Sequence, residues 1–122
     1  SKEKRMLLMD EWYRARLKEL LPPVIAKWEK RMGVHLNEFA IKKMKTKWGT
    51  CNREARRIWL NLELAKKPFQ CIEYIVVHEM VHLIERNHND RFVAFMDRFL
   101  PEWKELKKEL NRLPVSHRDW GY

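Results

Sequence analysis

The chain of 122 residues carries 26 Lys and Arg against 17 Asp and Glu, a formal net charge of +9, with 45% hydrophobic and 35% charged residues. That length and balance describe one domain able to bury a core and exclude a disordered chain. No apolar stretch approaches the ~20 residues that cross a bilayer, the charged start from Ser1 to Arg5 shows no signal peptide, and Cys51 and Cys71 are too few for a disulfide framework. The expectation is a single cytoplasmic domain over residues 1–122 with no membrane partner.

In chain order, Met6, Met9, Tyr13, Leu17 and Leu20 recur at spacings of three and four, which predicts an amphipathic helix over residues 4–21. Pro22-Pro23 predicts a break or kink, followed by a second helical stretch through Val24, Ile25, Trp28 and Met32 that stops at Gly33. From Leu36 the period falls to two. Phe39 and Ile41 mark one strand, and Ile58, Leu60 and Leu62 mark another. Trp48-Gly49-Thr50-Cys51 lies between them as a third short strand or its turn, and residues 52–57 read as a hairpin connection. Pro68 opens a helix whose buried stripe is Ile72, Ile75, Val76, Met80 and Leu83, expected to run to about Arg86. Two more helices are expected over residues 90–100 and 102–110, separated by Pro101. The architecture implied is α+β, with helices packed on a small, mainly antiparallel sheet.

The charge is uneven. Residues 1–60 hold 16 basic and 7 acidic side chains, whereas residues 61–122 hold 10 of each. The excess is densest over residues 42–57, where Lys42, Lys43, Lys45, Lys47, Arg53, Arg56 and Arg57 face Glu54 alone. Such a run attracts nucleic acid, a nucleotide or another polyanion, and it reads equally as a solvated face.

His78-Glu79-Met80-Val81-His82 is an HExxH sequence on the helix after Pro68. Four residues are slightly more than one turn, so His78 and His82 share a face and can grip one metal ion, with Glu79 close enough to reach a metal-bound water. His88 follows six residues later, which requires the helix to end in between; Asn87 is a plausible left-handed cap for that turn. Three imidazoles leave a four-coordinate Zn2+ one open position, the arrangement of a catalytic rather than a structural site. The spacing also fits the metzincin pattern, but Glu85 stands where that pattern has Gly, which argues against it.

Lys47-Trp48-Gly49-Thr50-Cys51, Ile58-Trp59-Leu60-Asn61, the helix from Val76 to Leu83, and Asn87-His88-Asn89-Asp90-Arg91-Phe92 together resemble the YgjP-like metal-dependent hydrolases, relatives of the SprT-like and WLM zinc peptidases. The resemblance runs from about residue 5 to residue 106. It implies a zincin-like fold, Zn2+ on His78, His82 and His88, and Glu79 as general base in the hydrolysis of a peptide or protein substrate. Lys47 and Thr50 replace the usual Arg and Ser of the first motif. Longer family members carry a further β-rich N-terminal region, so the chain also reads as the C-terminal catalytic part of a longer protein.

Alternatives stay open at this stage. The same metal site suits a phosphohydrolase or nucleotide pyrophosphatase, and the basic run suits a nucleic-acid-binding module acting on DNA-associated proteins. Residues 58–62 are a candidate for an exposed strand that a substrate extends, or equally an interior strand. Tyr74, His117, Arg118 and Tyr122 are candidates for stabilising an oxyanion. Asp90, Asp97 and Glu73 are candidates for orienting the histidines. Cys51 is expected as a packed, reduced thiol, and His35 as a structural residue.

Overall fold

The computed structural model describes residues 1–112. His117, Arg118 and Tyr122 lie outside the described residues. The chain runs α1 (Lys2–Met32), β1 (Glu38–Lys42), β2 (Gly49–Asn52), β3 (Arg57–Asn61), a short 3-10 turn (Leu62–Lys66), α2 (Phe69–Val81), α3 (Asp90–Phe99) and α4 (Trp103–Arg112). This is the expected α+β architecture, four helices on a small sheet.

Of the break or kink expected at Pro22-Pro23, the break is excluded, because one helix of 31 residues contains both prolines. Each proline removes a backbone donor, a loss of ~3 kcal/mol in a helix interior. Both lie on the exposed face, while Leu17, Leu21, Val24, Ile25 and Trp28 form the buried stripe on either side of them. Burying five such side chains at roughly 1.5–3 kcal/mol each outweighs the lost bonds. Ser1 caps the start, and Gly33 ends the helix with φ 69°, its N–H donating to the Glu29 carbonyl at 2.9 Å. Met6 and Met9 are not core as their spacing suggested; they are 55% and 50% exposed. The anchoring of α1 to the sheet begins only where Asp10 pairs with Lys43 at 2.8 Å and Arg14 donates to the Ile41 carbonyl.

The sheet has the order β1-β3-β2, with β1 parallel to β3 and β2 antiparallel to it. The sheet is thus mixed, one pair of each kind, where mainly antiparallel pairing was expected. β3 is the interior strand, so residues 58–62 are not the exposed strand; β2 is an edge. The β2–β3 turn is made without glycine. Arg56 takes φ 51°, and its side chain and carbonyl are tied down by His35 and Asn37 respectively.

α2 is the hub. Ten of its thirteen residues are buried, on all sides, because α1, the sheet, α3 and α4 pack around it. It ends at Val81, earlier than the expected Arg86. His82, Leu83 and Ile84 donate to the carbonyls three residues before them, which tightens the last turn and releases the chain. Among the described residues only Arg56 and Gly33 have positive φ, so Asn87 is not the left-handed cap that its position suggested.

Candidate metal centre

The end of α2 puts His78 one turn before its last residue and His82 at its C-cap. The chain then turns through Glu85 and Asn89 to bring His88 back. One ligand atom from each of the three histidines can be chosen so that all lie within 4.8 Å of one another. His82 Nε2 is 3.0 Å from His88 Nε2. A tetrahedral zinc with Zn–N bonds of about 2.0–2.1 Å holds its nitrogens roughly 3.3 Å apart, so the triad fits such an ion after small side-chain rotations.

Protonation favours ligation. Burial, with a further contribution from Lys107, pushes His78 down to about 3. His82 and His88 are also lowered, burial again being the main cause. All three imidazoles are therefore neutral at pH 7, the form that binds a metal. The hydrogen bonds select the tautomer. His82 Nδ1–H donates to the Glu85 carbonyl at 3.1 Å, and His78 Nδ1 lies 3.1 Å from Glu79 Oε2, where it donates to the carboxylate. With the proton on Nδ1, Nε2 carries the lone pair in each, and that of His82 is turned toward His88 Nε2. Phe92, buried on α3, sits edge-on or tilted against all three imidazoles with centroids 4.7–5.0 Å away.

Glu79 is 2% exposed, and burial raises its carboxyl to about 7 against the opposing pull of His82, His88 and Lys47. It faces a cleft of about 520 Å³ between α2 and β2, together with the three histidines. The cleft wall is β2 itself, from Gly49 to Asn52.

The sequence profile of the YgjP-like metallopeptidase domain matches residues 1–113. The chain belongs to the YgjP-like metallopeptidase family. The YgjP-like domain also shares its fold with the metallopeptidase zymogen of Pyrococcus abyssi abylysin, at a TM-score of 0.67 and 18% identity, over 74% of this chain and 90% of that one. No curated protein matches the sequence significantly.

Several residues that shape the site of this YgjP-like domain escaped the sequence reading. Gly49 is one: a Cβ there would stand 2.9 Å from Glu79 Cγ and 3.1 Å from the Trp59 carbonyl oxygen. Glu85 is another. Its carbonyl holds His82, and its carboxylate accepts from Asn89 Nδ2, while Asn89 Oδ1 caps α3 by accepting from Phe92 N–H at 3.0 Å. Glu85 thus clamps both ends of the loop that carries His88. Buried Asn61 ties down the loop before β2, donating to the carbonyls of Met44 and Lys47 and accepting from Glu63 N–H. Only the Trp-Gly and Leu-Asn runs of the family-like motifs hinted at Gly49 and Asn61.

Other candidates sit elsewhere. Tyr74 is fully buried in the core against the His78 ring and does not line the cleft. Glu73 accepts from Lys27 and Trp28, and Asp97 from Trp103, so neither orients a histidine. Asp90 opens α3. His35 is exposed and pairs with Glu29 at 3.3 Å. Cys51 lines the cleft as a free, half-buried thiol, pushed up to about 11 first by burial and then by the Glu79 charge.

Proposed function

We propose that residues 1–122 form one catalytic unit, a zinc metallopeptidase in which His78, His82 and His88 hold the metal and Glu79 is the general base. The observation that carries this reading is the convergence of three neutral imidazoles beside a buried carboxylate at the floor of an open cleft. A bound zinc supplies a Lewis acid that polarises the scissile carbonyl and acidifies the attacking water. The Glu79 carboxylate would take a proton from the attacking water and return it to the leaving amine. Its burial keeps the carboxyl from bulk solvent, and Gly49 lets it approach the strand.

The substrate backbone is placed along the outer edge of β2. That edge is not paired by β3, which hydrogen-bonds to the opposite side. An extended peptide added there as a further strand would run along the cleft that Glu79 and the triad line. This assigns to β2 the role first considered for residues 58–62. The family match favours a peptide over a phosphoester as substrate. No helix among the described residues is long and apolar enough to cross a membrane. With two free thiols fitting a reducing compartment, we place the protein in the cytoplasm.

Elemental analysis beside a peptide-hydrolysis assay tests the reading. About one zinc per chain is expected, lost in His88→Ala, together with hydrolysis that Glu79→Gln abolishes while keeping its metal. Absence of zinc after loading, or undiminished hydrolysis by Glu79→Gln, would overturn it.

A further inference from the structure

The dense positive charge of residues 42–57 is used by neither the metal triad nor the core, yet the structure divides it into two parts. One part is spent internally. Lys43 pairs with Asp10, Arg57 with Glu38, Arg56 donates to the His35 carbonyl, and Lys42 lies with Arg57 against the Trp59 ring at 5.2 Å each. These contacts engage four of the seven cations of that run. The other part enters the cleft.

Lys47 stands just before β2 and Arg53 just after it, so the substrate-side edge strand carries a cation at each end, their Cα atoms at most about 20 Å apart. Arg86, from the loop between His82 and His88, adds a third cation to the same cleft. All three are exposed. Among the described residues, none of their side chains is held by a carboxylate, in contrast to Lys27, Lys43 and Lys66. Glu54 is the only rim acid beside them among the described residues, Glu79 being buried at the floor.

A second observation points the same way. Among the described residues, no aromatic or aliphatic side chain apart from the imidazoles lines the cleft. A peptidase chooses among substrates by how differently its walls hold the residues flanking the scissile bond. The described walls provide no apolar pocket, and their strong chemical preference is for negative charge, concentrated by the concave shape.

We propose that the cleft selects acidic peptides, with Asp or Glu side chains on both sides of the scissile bond, one meeting Lys47 and the other Arg53 or Arg86. Arg53 and Arg86 present planar guanidinium groups suited to two-point contact with a carboxylate, and Lys47 acts as a point charge. The inference rests on the peptidase reading and adds the substrate class to it.

The test uses zinc-loaded protein and matched fluorogenic peptides that differ only in their flanks: Asp/Glu, Asn/Gln or Lys. The expected order of kcat/KM is acidic, neutral, basic, with the gap narrowing as salt rises. Lys47→Ala, Arg53→Ala and Arg86→Ala each lower the acidic-to-neutral ratio by roughly two- to fivefold, and the triple variant brings it close to one. Equal rates on acidic and neutral flanks overturn the proposal and leave the peptidase reading intact. Binding of the same labelled peptides to Glu79→Gln gives a readout independent of turnover. Acidic peptides bound by that variant and released by the added triple substitution support the proposal even if no peptide is cut. Equal or absent binding overturns it. Tighter binding of a short oligonucleotide, lost with the same three cations, overturns it in favour of a nucleic-acid groove.

Discussion

Gly49→Ala isolates the position of Glu79 from its chemistry. Gly49 has an ordinary backbone conformation, so the added methyl acts by contact alone. Its Cβ meets Glu79 Cγ at 2.9 Å, Glu79 Oε2 at 3.2 Å and the Trp59 carbonyl oxygen at 3.1 Å. The Trp59 backbone sits in the interior strand and is held by both neighbours, so the carboxylate is the group that yields. Reaching an ordinary contact near 3.4 Å requires Glu79 to retreat by at least 0.5 Å. Displacing a catalytic group by about 1 Å lowers turnover on the order of a hundredfold, so a loss between about tenfold and a hundredfold in kcat/KM is expected. Overpacking lowers stability by about 1–3 kcal/mol, read as a fall in melting temperature of roughly 5 °C per kcal/mol. The substitution touches none of the three histidines directly and loosens His78 only through its bond to Glu79, so zinc still loads to about one per chain when supplied in excess. Steady-state kinetics, a thermal melt and elemental analysis of one preparation separate these effects. A variant with wild-type kcat/KM and wild-type melting temperature would refute the claim that this contact sets the carboxylate.

Three further substitutions or modifications probe the surroundings. Glu85→Ala releases the loop carrying His88, so zinc affinity falls about tenfold or more by titration calorimetry, while Glu85→Gln, able to keep the bond to Asn89, restores most of it. If Ala and Gln variants weaken zinc equally, the clamp is not the cause. Asn61→Ala leaves two carbonyls before β2 unbonded and lowers stability by about 2–4 kcal/mol, seen as a lower urea midpoint at unchanged slope. In the metal-free protein Cys51, raised to about 11, is almost wholly protonated at pH 8. Its alkylation rate should rise about tenfold per pH unit from 8 to 10; a plateau near pH 9 would show that burial does not hold the thiol.

The strands were legible because alternation reports which side chains are buried, and Phe39, Ile41, Ile58 and Leu60 obey it. Alternation carries no information about strand order. That β3 lies between β1 and β2 depends on a crossover, which no local pattern encodes. The helical periodicity of α1 was equally legible, but periodicity cannot say where the helix meets the body. Met6 and Leu17 share a pattern, and only Leu17 is buried, with the 3-10 turn and α2 beside it. Pro22-Pro23 misled for a related reason. A local rule about lost donors was overridden by a tertiary stripe that holds the helix on both sides of the pair.

The same division explains the candidate metal site. The spacing of His78 and His82 is a property of one helix and can be read directly, and a third histidine shortly beyond the helix end limits where the chain can go. How it gets there cannot be read, because the route depends on bonds between residues that no periodicity links. The turn is made by tightening after Val81 and by Glu85 reaching both His82 and Asn89, rather than by a left-handed Asn87. Gly49 is the extreme case. It is one of three glycines in the chain and sits in a strand, where glycine lowers stability for want of a side chain to pack. Its presence makes sense only with Glu79 in view, since the space denied to a Cβ is the space the carboxylate occupies. A residue that weakens its own strand to admit a buried acid at the floor of a cleft serves the cleft, and that is the strongest structural reason to assign Glu79 a role in the chemistry rather than in the core.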